Sequence, residues 1–338
     1  MKIDIQSHIF PREFINHMMH NEGQLRVSGP DAYGRMAIMD SSTKTMLTYF
    51  VPDSPFVDPE KHIEDMKRYD IDMQVLSVNP PGVDRIEDPY EAYSLCKVIN
   101  DALSDLVQKY NGYFAALATI PFNSPELAVQ EMKRASEELG LHGFVMPSNT
   151  LGHFYDSADY DIILQEAEAK GMPFFIHPSQ PVVWKELGED YNIPLVYGWP
   201  FDTTLCLAHL IFSGKLRKFP NLNIIAAHGG GMVPFFVGRV DMLLKDMRGS
   251  GKPPASGSEH DIRKVYYDSA VFNTESIRLL IRNIGRDKVI YGTDYPFGPE
   301  RGRMCYERSI STIRALEDKE LEDLIFCKNL MNIMKLGL

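Results

Sequence analysis

The sequence predicts an α/β fold, a (β/α)8 TIM barrel with a small β insertion (cap) after its first strand. Three observations predict it. Eight strand-like runs alternate with helical patterns along the chain, and parallel neighbours need such crossover connections. Eight is also the number that closes a barrel, which typically takes about 250 residues. The 338 residues exceed this by what two stretches account for, the segment before Pro59 and the loop over 179–200. Residues 1–338 are therefore read as one domain with an insertion over about 11–58.

Lys2 to Phe10 is the first strand. Strand alternation sets Ile3, Ile5 and Ser7 on one face and Asp4, Gln6 and His8 on the other. Such a polar face lies at a surface, or looks into a barrel whose end residues hold a metal. Runs over 25–28, 36–39 and 47–51, separated by Gly29-Pro30-Asp31 and Asp40-Ser41-Ser42, read as a small added sheet. Asp58-Pro59 caps and starts a helix reaching Tyr69. Residues 73–78 form a buried strand, and Asp88-Pro89 opens a long helix with Leu95, Val98, Ile99, Ala102, Leu103 and Leu106 at helical spacing. The strand over 114–118 is followed by a helix capped by Ser124-Pro125 and ended by Gly140 in a left-handed conformation. The remaining strands are 142–146, 174–177, 223–227, 265–268 and 289–291, with a helix over 160–170 after the first of them. Residues 245–261, rich in Gly, Ser and Pro, read as a long loop.

Charge and composition narrow the function. With 35 basic against 46 acidic residues and no Lys/Arg run, the chain lacks the footprint of a nucleic-acid binder. No apolar run reaches the length of a membrane span, and Met1-Lys2 leads into a strand instead of an apolar leader, so a soluble cytoplasmic protein is expected. Cys96, Cys206, Cys305 and Cys327 are dispersed, as befits reduced thiols.

Barrel chemistry sits at the C-terminal strand ends. There the chain carries Gln6 and His8, His177, His228 and Asp294, flanked by His177-Pro178, His228-Gly229-Gly230-Gly231 and Gly292-Thr293-Asp294-Tyr295-Pro296. Imidazole with carboxylate suits zinc, manganese or iron. A single histidine at a strand end is more often a hydrogen-bonded rim residue; convergence from separate strands favours a site. His142 and His209 read as structural. Trp184, after His177, either stacks on a planar substrate or packs the cap. Phe297 is placed on the pocket wall, Asn79 at the rim as a donor, and His153 after the fourth strand as a substrate contact.

The motifs Ile3-Asp4-Ile5-Gln6-Ser7-His8, Phe175-Ile176-His177-Pro178, Ala227-His228-Gly229-Gly230-Gly231 and Tyr291-Gly292-Thr293-Asp294-Tyr295-Pro296-Phe297 resemble those of the amidohydrolase superfamily. More narrowly they resemble the branch of aminocarboxymuconate-semialdehyde decarboxylase and the resorcylate and carboxyvanillate decarboxylases. The resemblance implies one divalent metal ion, zinc or manganese, held by His8, His177 and Asp294, with His228 as the acid/base residue and Asp294 also catalytic. It implies a non-oxidative decarboxylase of a small aromatic or muconate-like carboxylic acid, with a metal-dependent hydrolase or hydratase as the alternative, because a metal also acidifies water. Two departures stand out. Gln6 occupies a position that is usually His or Glu, where an amide oxygen makes a weak ligand. His62 stands where the semialdehyde decarboxylases carry an arginine for a substrate carboxylate, and is a substrate-binding candidate. Arg239, in Gly238-Arg239-Val240-Asp241, matches an arginine that reaches the neighbouring subunit's site, which implies a homodimer.

Overall fold

The computed structural model describes residues 1–188, 190–244 and 259–336. β1 (Ile3–His8) leads to α1 (Arg12–His20), then to three short strands, β2 (Leu25–Ser28), β3 (Met36–Asp40) and β4 (Thr45–Phe50), and to α2 (Pro59–Tyr69). Next come β5 (Met73–Ser77), α3 (Pro89–Lys109), β6 (Phe114–Ala116), β7 (Ala118–Thr119), α4 (Pro125–Glu137), β8 (Phe144–Pro147), α5 (Asp161–Lys170) and β9 (Phe174–His177). The second half holds α6 (Trp184–Leu187), α7 (Trp199–Phe212), α8 (Lys215–Lys218), β10 (Ile224–Ala226), α9 (Val237–Leu244) and α10 (Glu259–Ile262). It ends with β11 (Tyr266–Asp268), α11 (Thr274–Asn283), β12 (Val289–Ile290), α12 (Arg303–Arg314) and α13 (Lys319–Asp323).

Parallel pairing runs β1-β5-β6 and β7-β8-β9-β10-β11-β12, with β6 and β7 a single strand interrupted at Leu117. Ile5 N donates to Tyr291 O at 3.1 Å and His8 N to Tyr295 O at 2.7 Å, so the last strand returns to the first. The parallel strands thus form a ring. The strands β2, β3 and β4 make the small antiparallel sheet expected after β1. Among the described residues no helix is long and apolar enough to cross a membrane.

Local chemistry explains most element starts. Asp58 accepts from Glu60 N at 3.0 Å, and Asp88 accepts from Tyr90 N and Glu91 N at 2.8 Å, satisfying N–H groups that a helix start leaves unpaired. Ser124 makes no side-chain cap bond, contrary to its expected role, and the proline at the first helical position starts α4 without it. Two expectations fall short. The insertion over about 11–58, expected as a small sheet, also holds a helix: α1 buries Phe14, Ile15 and Met18 on one face. The 179–200 loop also holds helical turns, α6 and Pro194–Gly198. Of the predicted 245–261 loop, 245–258 lie outside the described residues, and Glu259–Ile262 is a helical turn.

The ring interior is apolar and close-packed. Ile3, Ile5, Val75, Ala115, Val145, Phe175, Ile225 and Ile290 converge there and are joined by Leu330, Ile333 and Met334 from the C-terminal segment. Simple alternation would then turn Gln6 and His8 away from that interior. A register irregularity between Asp4 and Ser7 re-aims them inward at the strand's end, a bulge placed where it turns a side chain toward a site.

Asp4 remains in the wall behind this bulge. It is wholly buried and accepts from Ser7 Oγ at 2.9 Å, Gln6 N at 3.2 Å and the Thr293 hydroxyl. Burial outweighs these bonds and pushes its carboxyl from 3.8 up to about 7. The native state therefore binds this proton more tightly than the unfolded chain, so its contribution to stability is full below about pH 4 and is lost as pH rises through about 7. Asp4→Asn removes that loss, and hydroxyls serve an amide as acceptors. In metal-free protein we expect the variant to be about 2 to 4 kcal/mol more stable than the parent at pH 8 and to gain nothing at pH 4. Denaturant unfolding across this range checks it. Parallel stability-pH curves for the two proteins would contradict the assignment.

Candidate metal centre

β1, β9 and the segment after β12 each end in one polar residue, and these meet. His8, His177 and Asp294 present ligand atoms that all lie within 4.8 Å of one another. His8 Nε2 is 3.2 Å and His177 Nε2 3.8 Å from Asp294 Oδ1. Each imidazole is oriented from behind. His8 Nδ1 lies 3.0 Å from Ser77 Oγ, and His177 Nδ1 donates to Pro178 O at 3.0 Å. The proton on Nδ1 leaves His177 Nε2 as a bare lone pair, buried and without a hydrogen-bond partner among the described residues. A carbonyl behind one nitrogen and an open lone pair on the other is how a metal-binding imidazole is set. The residues present fit a divalent cation with nitrogen and oxygen ligands.

Electrostatics agree with this fit. Burial alone would raise the Asp294 carboxyl, but the His177, His228 and His8 rings around it hold it well below the usual carboxylate range. Burial lowers His177 to about 4, which keeps it neutral. His228 is also buried, yet the Asp294 carboxylate more than offsets burial and raises it. Backbone strain marks the same residues. Asp294 and His228 have φ of 65° and 52°, a left-handed conformation that costs a non-glycine residue about 1–3 kcal/mol and clusters at functional sites. Gly292 is tightly enclosed here. A Cβ on it would lie 3.0 Å from Asp268 Cβ and 3.2 Å from Gln6 Cβ.

His228, just past β10, completes the group, with Nε2 3.6 Å from Asp294 Oδ2. Gln6 Nε2 reaches both, at 3.1 Å from His228 Nε2 and 3.2 Å from Asp294 Oδ1, while its Oε1 is buried without a partner. Phe297 also joins the site. Its ring stands edge-on to His8 at 5.7 Å and to Phe56 at 5.0 Å, and Phe56 stacks on Phe10 at 6.2 Å. An aromatic wall thus runs from the insertion to the candidate ligands.

Other sequence candidates stand elsewhere. His62 is a correction: it is fully buried, with Nδ1 2.8 Å from Gln74 Oε1 and Nε2 2.6 Å from Pro55 O. Both ring nitrogens are engaged inside the α2 packing, against Tyr295, so no edge is left for a substrate. His153 is exposed in the turn whose backbone pairs with Thr150, with no contact to the centre. Asn79 is buried just past β5, its Nδ2 donating to Pro80 O and its Oδ1 without a partner. Trp184 is half-buried at the start of α6, with no aromatic partner among the described residues. Its loop is pinned by Val182 N donating to Asp202 Oδ1 at 2.9 Å and Asn149 Nδ2 donating to Gln180 O at 2.9 Å. Arg239 is exposed on α9 and lines an apolar cavity of about 330 Å³ with Phe236, Val240 and Leu243. Two neighbours of the centre escaped the sequence reading. Ser77 and Asp268 end β5 and β11, and the strand-end rule that found His8 and His177 would have found them.

A family model described as Amidohydrolase matches residues 3–328. Over 343 residues the chain is 29% identical to the 2-amino-3-carboxymuconate-6-semialdehyde decarboxylase of Dictyostelium discoideum, an alignment covering 96% of this chain and 89% of that one. It is also 29% identical over 268 residues to a gamma-resorcylate decarboxylase of Polaromonas sp., covering 73% of this chain and 82% of that protein. The fold matches a crystal structure of a Polaromonas dihydroxybenzoic acid decarboxylase with bound manganese and 2-nitroresorcinol, with a TM-score of 0.79 at 24% identity over 100% of this chain and 97% of that one. The family match runs from β1 past the last strand of the ring, and the chain belongs to the amidohydrolase family.

Proposed function

We propose that this chain is a metal-dependent, non-oxidative decarboxylase of a small aromatic or muconate-like carboxylic acid. It is read as a single (β/α)8 barrel domain over 1–338, with the cap inserted over about 11–58. The observation that carries the reading is the meeting of His8, His177 and Asp294 within 4.8 Å, with His228 against the same carboxylate. Similarity to decarboxylases over most of the chain supports the choice of reaction.

His8, His177 and Asp294 would hold the divalent ion, zinc or manganese, with the Gln6 amide as a weak further ligand. Bound there, the ion supplies a positive charge that fixes and acidifies an oxygen of the substrate. The rest falls to side chains. Ser77 and Pro178 O keep the His8 and His177 rings oriented. Phe297 and Phe56 offer an apolar face for a planar acid, and Asn79, buried just past β5, is the candidate rim donor. His228 takes up a proton at Nε2 and passes it to the carbon that bears the carboxylate, after which carbon dioxide leaves with the C–C bond pair returning to the substrate. Carbon dioxide release from a panel of hydroxybenzoates by metal-loaded protein tests the reading. Turnover of an ester or amide panel without carbon dioxide would replace it with hydrolysis.

Gln6 tunes this centre. An imidazole nitrogen outcompetes an amide oxygen for zinc-like ions, so Gln6→His is expected to tighten metal binding by about tenfold, the scale on which groups around a metal ligand act. A chelator competition reads it. Gln6→Ala should weaken binding only modestly; a loss as deep as that of His8→Ala would make Gln6 an essential ligand.

A homodimer with shared sites is part of the same proposal. Arg239 shares its helix with exposed Met242 and Leu243, beside exposed Phe235, and clustered exposed apolar side chains mark association surfaces. If Arg239 serves the partner's substrate, mixing inactive His228→Gln and Arg239→Ala proteins restores part of the activity, because one site of each heterodimer keeps both residues. No recovery under demonstrated subunit exchange would confine Arg239 to its own chain.

A further inference from the structure

Among the described residues, the buried polar atoms beside the centre without a hydrogen-bond partner include His228 Nδ1 and Asp268 Oδ2. Their chemistry is complementary. Gln6 Nε2 lies 3.1 Å from His228 Nε2, and an amide nitrogen only donates, so in the neutral ring Nε2 accepts and the proton resides on Nδ1, where the imidazolium carries one too. Nδ1 is therefore a buried donor in want of an acceptor. Asp268 ends β11, the neighbour of the strand that leads into His228. Its Oδ1 is engaged by Gly229 N at 3.0 Å and Ala270 N at 3.1 Å. The carboxylate is thereby pinned to the residue that follows His228, and Oδ2 alone stays free. Gly292 keeps this space open, since a Cβ there would come within 3.2 Å of both Oδ2 and Gln6 Cβ.

We propose that Asp268 is the positioning residue of His228, its Oδ2 accepting the Nδ1 proton so that Nε2 stays directed at Asp294 and the substrate. The inference rests on the reading of His228 as the proton-moving group. In the structure the two atoms form no hydrogen bond; the proposal has a rotation of the imidazole or a bridging water close the pair. The drive to close it is the cost of leaving a buried donor and a buried carboxylate oxygen unpaired. Each charge also acts on the other group. Burial pushes the Asp268 carboxyl up to about 6, and His228 opposes that rise. The arrangement follows the logic of a carboxylate behind a catalytic imidazole: it fixes the tautomer and stabilises the imidazolium that forms. A proton arrives at Nε2 and leaves from Nε2, while Nδ1 keeps its own throughout.

Asp268→Asn tests this. The side-chain oxygen of Asn still serves Gly229 N and Ala270 N, but an NH2 group now stands where Oδ2 stood, and it demands an acceptor at Nδ1. In zinc-loaded protein carrying 15N-labelled histidine, the parent should show His228 with its proton on Nδ1 and Asp268→Asn with its proton on Nε2. The signals missing in His228→Gln assign them. kcat should fall about 10²- to 10⁴-fold with KM and bound zinc unchanged, in keeping with loss of a positioned proton-transfer group. Asp268→Ser, which keeps a hydroxyl for the backbone but no carboxylate, provides a second folded variant and should also lose kcat. An unchanged His228 tautomer in folded Asp268→Asn overturns the inference, as does a fall in bound zinc that matches the fall in kcat. If the parent shows the Nδ1–H tautomer, the variant switches it, and no carbon dioxide is released by either, the decarboxylase reading fails and the Asp268–His228 pairing stands.

Discussion

Purified His177→Ala is expected to carry less than about a tenth of the divalent metal found in the parent, which should hold about one ion per chain. Of the three candidate ligands, His177 is the one whose ring is most completely set for that task. Its Nδ1 donates to Pro178 O, its Nε2 is buried with no hydrogen-bond partner among the described residues, and burial keeps it neutral, with a value of about 4. Alanine leaves His8 and Asp294 as the remaining strong ligands, with Gln6 a weak third, too few for a stable site. Carbon dioxide release should fall with the metal. Elemental analysis after gel filtration reads the outcome, and full occupancy in His177→Ala would remove His177 from the ligand set. Circular dichroism separates metal loss from unfolding, because the ring's interior packing lies below this residue.

The centre was legible in the sequence because its parts sit at strand ends, and strand ends are easy to find. Buried runs such as 174–177 and 289–291 stop at polar residues flanked by Gly or Pro, so counting strands also located the candidate ligands. His62 shows where this reasoning loses power. Its setting depends on Gln74 and Pro55, residues that reach it only through the packing of α2 against β5. A linear sequence carries no sign that both ring nitrogens are taken. Asp268 is the converse, a strand-end acid at the right depth that lacks the Gly and Pro punctuation of the others.

For the fold, caps and periodicity carried most elements, and the departures have local causes. α1 starts at Pro11 with no side-chain cap and spans nine residues, so the usual start signal is missing and the apolar face is short. β1 misled in a different way. Alternation predicts one polar face from Asp4 through His8, yet the irregularity between Asp4 and Ser7 leaves Asp4 in the wall while Gln6 and His8 face the centre. A bulge adds one residue to the count and leaves no mark in composition.

His228→Gln is expected to lower kcat by about 10²- to 10⁴-fold, the contribution usual for a positioned general acid or base, while metal content stays at the level of the parent. Glutamine keeps the approximate length and a hydrogen-bonding end for Gln6 and Asp294 but cannot take up and return a proton near neutral pH. The structure places His228 Nε2 3.6 Å from Asp294 Oδ2 and turns its ring 62° from that of His177 at 5.7 Å, beside the ligand set. Loss of turnover without loss of metal is therefore the signature of its role. The split between kcat and KM carries the argument further, because a residue that only binds substrate raises KM and leaves kcat largely intact. If His228→Gln loses metal as completely as His177→Ala, His228 is a ligand, and the proton must be carried by another group at the strand ends.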